Sequence, residues 1–201
     1  MNDLTTWARS LARRYLDIPQ FQDTRWPHTQ NVAARAEKLA PICGPDAVLL
    51  TAAAWLHDIG YAPPLAHLDF HPLDGATFLE SLDANPRLVA LIAHHSAAHH
   101  DATLRGLDNA YQRWPNEDTP VRDALWCADM TTSPTGRPIA FDERLADINR
   151  RYGPEHPVSQ TVNAAADRIR SMIDNTAQRA AHHGIHTDFG STVTDGCRSS
   201  W

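Results

Sequence analysis

What most restricts this chain is where a helix cannot continue. Breakers fall at Pro19, at "PICGP" (41–45), "GYAPP" (60–64), Pro72, Asn85-Pro86, "WPNEDTP" (114–120), "TTSPTGRP" (131–138) and "YGPEHP" (152–157). The stretches between them, 3–17, 25–40, 46–59, 72–83, 86–99, 119–130, 141–151 and 157–178, carry apolar residues at helical spacing or strong helix formers. None alternates apolar and polar residues with period two over a useful length. The expected fold class is therefore all-α, a helical bundle without a sheet. With 201 residues, 42% of them hydrophobic, the chain can bury a real core as one domain, placed at 1–180. The stretch 181–201 is aperiodic and rich in Gly, Ser and Thr, and reads as a flexible tail.

The formal charge is -6, and basic residues are scattered rather than clustered. No extended nucleic-acid surface is expected, although a small phosphate at a local site fits this balance. The start "MNDLTTWARSLARRYL" lacks a signal pattern, and no apolar run has membrane-spanning length, so the expected location is cytoplasmic with no membrane partner. Cys43, Cys127 and Cys197 are distant and odd in number, which suits reduced thiols, two of them in the core, rather than a disulfide framework.

Twelve histidines are many for this length. His28 lies four residues before Val32 on a stripe that continues through Ala36 and Leu39, so it points inward. In "VLLTAAAWLHDIG", His57 shares a stripe with Leu49, Ala53 and Leu56, and Asp58 closes the helix. His95 follows Leu88, Leu91 and Ile92, whereas His94 is rotated by about 100° toward Arg87. Asp129 follows Leu125 by four residues in "TPVRDALWCADMTT". Single inward histidines are usually hydrogen-bonded core residues, and a lone Asp near a helix end is usually a cap or ion-pair partner. Here imidazoles and carboxylates converge where Lys and Arg are scarce, and a divalent cation is what such a set calls for.

The ordered set His28, His57-Asp58 and Asp129, spaced by 29 and 71 residues, resembles the HD-domain superfamily of metal-dependent phosphohydrolases, whose pattern is H…HD…D. The resemblance covers about 24–150, with a helix at 157–178 beyond it. It implies that these four residues hold a divalent metal ion and that Asp58 can bridge to a second. "HPLDGATFL" looks like the H-x-x-x-G-A segment of two-metal members, and "LIAHHSAA" like their next histidine-bearing helix. By that comparison His71 and His95 hold the second ion, with His94 assisting or behind them. The metal, Mn, Fe, Co, Ni or Zn, is not distinguished by these ligands.

The implied reaction is attack of a metal-activated hydroxide on a small phosphorylated metabolite or nucleotide, with Asp58 as the central catalytic carboxylate. Cationic groups for the phosphate would be Arg105, Arg137 and His99, and the backbone and hydroxyls of "TTSPTG" could also meet an oxyanion. His67 and His100 read as ordinary surface residues, and His182, His183 and His186 as part of the tail. Two other classes stay open. One is the mixed-valence di-iron oxygenase branch of the same fold, whose six-ligand order is similar but which carries a lysine where this chain has His99. The other is a non-catalytic helical protein that keeps metal for structure.

Overall fold

The structure, a computed structural model, describes residues 3–187 and 189, and it is all-α. Among the described residues the one β feature is an isolated antiparallel bridge between Thr132 and Pro138. The α-helices are α1 (Asp3–Leu16), α2 (Arg25–Leu39), α3 (Ala47–Leu56), α4 (His71–Ser81), α5 (Pro86–His94), α6 (Ala98–Leu104), α7 (Asp108–Tyr111), α8 (Pro120–Met130), α9 (Phe141–Tyr152) and α10 (Pro157–His182). Prolines open α5, α8 and α10, where the missing N–H would have had no helical partner. Asn85 caps α5 by accepting from the N–H groups of Arg87 and Leu88, and Thr119 caps α8 by accepting from Arg122.

α3 is the axis of the bundle. Every residue from Leu49 to Leu56 is buried, and the short side chains of Ala52, Ala53 and Ala54 let α1, α2, α5 and α8 approach it. A helix apolar on all sides belongs in the middle. The stretch Arg25–Tyr61 would be long enough by composition to cross a membrane, but it is not one helix. Gly44, at φ 54, breaks it into α2 and α3, and most of it is buried in the core. α10 lies across α6, α8 and α9, and Arg179 pins it by donating to Asp123 Oδ2 at 3.0 Å.

Cys43 and Cys127 are buried and unpaired, while Cys197 and most of the expected tail lie outside the described residues. Phe189 is buried, with the Arg35 guanidinium 5.7 Å from its ring centroid.

Three boundaries differ most from the sequence reading. α10 runs to His182, four residues past the expected end at 178 and into the stretch read as tail. α3 stops at Leu56 and His57 to Tyr61 form a tight turn, so Asp58 follows the helix instead of belonging to it. The helix predicted over 86–99 breaks after His94. Ser96 and Ala97 take left-handed φ values of 49° and 63°, and the chain then restarts as α6, with α7 following before α8. Left-handed backbone costs a non-glycine residue roughly 1–2 kcal/mol. Tertiary contacts hold the break: the Ser96 hydroxyl donates to Asp129 Oδ2.

Candidate metal centre

Each polar residue of the centre sits at or beside a helix end. His28 is in the first turn of α2, His57 and Asp58 follow α3, His71 starts α4, His95 follows α5, and Asp129 is in the last turn of α8. Helix ends can aim a side chain into the core without breaking a hydrogen-bond ladder. The first group is His28, His57 and Asp58; the second is Asp58, His71 and His95. Within each group the candidate ligand atoms lie within 4.8 Å of one another, the separation expected of donors about 2.0–2.2 Å from a common ion.

Asp58 faces both groups. Its Oδ2 lies 3.3 Å from His57 Nε2 and 3.7 Å from His28 Nε2, and its Oδ1 lies 3.5 Å from His71 Nε2 and 4.0 Å from His95 Nε2. Asp129 Oδ1 stands 3.1 Å from His28 Nε2 and 3.9 Å from His57 Nε2, beside the first group.

The rings are oriented from behind. Backbone carbonyls of Ser133, Ala54 and Ile92 accept from Nδ1 of His28, His57 and His95 at 3.0, 2.8 and 2.6 Å. With the proton on Nδ1, each Nε2 presents a lone pair inward, the arrangement that orients metal-ligating histidines. His28 and His57 meet Nε2 to Nε2 at 3.3 Å, and His71 and His95 at 3.1 Å. Such contacts need a proton or a cation between them. A divalent ion therefore fits the residues present.

Charge follows the same geometry. Burial opposes ionisation of both carboxylates, yet Arg25 and His57 hold Asp58 well below the usual carboxylate range, and His28 and His57 hold Asp129 below it. Burial also disfavours charge on His57, but Asp58 and Asp129 outweigh it and push that imidazole up to about 9. Burial lowers His28, His71 and His95. In chelator-stripped protein His57 should therefore keep its second proton until about pH 9, while the other three rings are neutral at pH 7. A metal must displace that proton, so affinity should weaken progressively as pH falls below about 9. Nitrogen-15 NMR of the four rings reads this directly, and a neutral His57 at pH 7 would contradict it.

Asp58, His71, His95 and Asp129 form the floor of a cavity of about 310 Å³, with His28 and His57 behind them. Its walls carry Arg25, Arg105, Arg144 and Arg151, with Tyr61, Phe70 and Tyr152 among the rings. Arg25 donates to Asp58 Oδ2 at 2.5 Å and lies 3.8 Å over the Tyr61 ring, which stacks on His71 at 3.9 Å. Arg105, also on the wall, donates to Asp101 at 2.6 Å.

His28, His57, Asp58, His71, His95 and Asp129 thus come together, and His94 does not join them. Its Nε2 donates to the Trp114 carbonyl at 2.8 Å and its ring meets Tyr111 edge-on. Because α5 is buried on every side from Leu88 onward, rotation by 100° moves His94 to another buried face rather than to solvent. His99 and Arg137 are not on the cavity wall; His99 packs against His100 and is lowered to about 4, first by burial. Sequence reasoning missed Arg25, Tyr61, Ser96 and Arg144. Arg25 could have been found, since it lies one turn before His28; Arg144 looks like any polar residue of an amphipathic helix.

An all-helical bundle whose helix ends gather histidines and aspartates around one shared carboxylate defines a class of proteins able to hold divalent metal. The HD domain family matches residues 25–172, and the chain belongs to it. Members of this family bind divalent metals, and the superfamily is one of metal-dependent phosphohydrolases. No curated protein and no solved structure matches the chain.

Proposed function

We propose that the protein is a cytoplasmic metal-dependent phosphohydrolase acting on a small phosphorylated metabolite or nucleotide. The observation that carries this reading is that two histidine–aspartate groups share Asp58, which with His71, His95 and Asp129 lines a cavity walled by arginines. His28, His57, Asp58 and Asp129 would hold one ion and Asp58, His71 and His95 a second. When bound, such ions lower the pKa of a water and neutralise charge on the phosphoryl oxygens.

The chain's own residues do the rest. Asp58 fixes the two groups relative to one another, and the backbone carbonyls behind His28, His57 and His95 keep their Nε2 lone pairs inward. Ser96 holds Asp129 Oδ2, which leaves Oδ1 to face His28. Met130, Ile148 and Val162 line the cavity with apolar surface, which strengthens charge interactions over the floor. Arg105 keeps the role expected for it, a cation on the wall. His99, at the position where the oxygenase branch carries its substrate-gripping lysine, is off the wall, and this weighs for hydrolysis over oxygen chemistry.

The test is a phosphoester screen in air and under nitrogen, on protein loaded separately with Mn, Fe, Co, Ni and Zn. Phosphate release should be equal in the two atmospheres, and His57→Ala and Asp129→Ala should lose both metal and turnover. Activity that requires dioxygen, or metal binding without turnover of any ester, would overturn the reading.

A further inference from the structure

Arg144 is the anomaly of the cavity. It projects from α9 and is only 9% exposed, yet its Nε and Nη1 are buried without a hydrogen-bond partner. The other wall arginines have acidic partners: Arg25 has Asp58, Arg105 has Asp101, and Arg151 has Asp147 at 2.8 Å. Asp129 and Asp58 attract Arg144 from a distance, while Arg151 and Arg25 repel it. A buried guanidinium with no hydrogen bond is destabilising on its own, because desolvation is not offset. No hydrogen bond or ion pair occupies the side chain, and it lines the cavity, so its donors remain to be taken by an anion bound there.

We propose that Arg144 is a substrate-binding residue that closes on a terminal oxygen of a phosphate seated over Asp58 and Asp129, and that the substrate is a phosphomonoester. The choice of phosphate rests on the phosphohydrolase reading; the anion site itself does not. A monoester carries three terminal oxygens and a charge of about −1.5 to −2. Two of those oxygens can face the histidine–aspartate floor, and the third remains for the fork of Arg144. A diester has only two terminal oxygens and a single negative charge. It leaves Arg144 without a partner.

The test is calorimetric titration of manganese-loaded protein with inorganic phosphate. Arg144→Met should weaken binding about 10- to 100-fold, and Arg144→Lys, which keeps the charge but not the fork, should fall between. Metal content should not change. Without phosphate the Met variant should melt no lower than the parent, since an uncompensated buried charge is gone, and the rise in melting temperature on adding phosphate should shrink. Unchanged phosphate affinity in the Met variant would overturn the assignment, and so would a loss of metal or of phosphate-free stability that accounts for the effect. Hydrolysis of p-nitrophenyl phosphate and of bis(p-nitrophenyl) phosphate tests the second half: the parent should prefer the monoester, and Arg144→Met should erase that preference. A parent that prefers the diester would overturn it. If the parent hydrolyses neither ester, the phosphohydrolase reading and the monoester assignment fall together, while calorimetry still decides the anion site.

Discussion

Asp58→Asn should weaken metal binding in both halves of the centre at once. The amide keeps the shape of the carboxylate, so packing is preserved, but one oxygen of the pair becomes an N–H donor and the charge that both groups share is gone. Because Oδ2 faces His28 and His57 while Oδ1 faces His71 and His95, the second group loses its one carboxylate and the first keeps only Asp129. Arg25 also loses the partner that holds it at 2.5 Å. Loss of a group that merely supports a ligand costs metal affinity roughly 10- to 100-fold, and loss of a shared ligand should cost more at both groups. Elemental analysis after dialysis measures the outcome. His71→Ala is the control, expected to lose metal from the second group and keep the first. A Asp58→Asn protein that retained two ions per chain would remove the shared carboxylate from the centre.

Gly60→Ala should be nearly as severe, for a steric reason. A Cβ on Gly60 would lie 2.0 Å from the His71 carbonyl oxygen and 2.6 Å from the Gly75 N, and neither atom belongs to a side chain that can swing away. The first turn of α4 would have to move, and with it His71. Overpacking of this kind costs about 1–3 kcal/mol, and backbone against backbone belongs at the upper end. The variant should show a lower denaturant midpoint and a selective loss of the second ion, with the first group retained. Unchanged midpoint and unchanged metal stoichiometry would show that the turn and α4 are not locked together as described.

That contact also gives a physical meaning to a pattern that sequence alone could only match. In "HPLDGA" the glycine is Gly75, and it lets α4 lie against the turn that carries Gly60: the nearest atoms to its own added Cβ would be Gly60 N and Ile59 Cγ2, each at 3.2 Å. Most helix boundaries were legible because Pro and Gly mark them, and the inward direction of His28, His57 and His95 was legible because each continues an apolar stripe. The break after His94 was not, since "HHSAAHH" contains neither breaker and the left-handed pair is held by contacts with Asp129 from 33 residues away. His94, expected to assist the second group or stand behind it, turns to the Trp114 carbonyl instead, because α5 is buried from Leu88 onward and its rotated face meets another packed surface. Arg144 was illegible because the polar face of α9 carries ordinary charged residues, and only the packing of α9 beside α10 determines which of them is buried.

The candidate ligands of the first group come from distant parts of the chain, with His28 and Asp129 in contact although 101 residues apart. During synthesis, His28, His57 and Asp58 leave the ribosome well before α8 exists to complete their set. Until α8 docks, those residues would offer an ion only an open, incomplete set; afterwards they are part of a buried, four-residue cluster. Which ion a chain carries would then depend on the order of two events, capture and docking. A metal present in excess during folding can be trapped in the centre without being the one that the finished site would select.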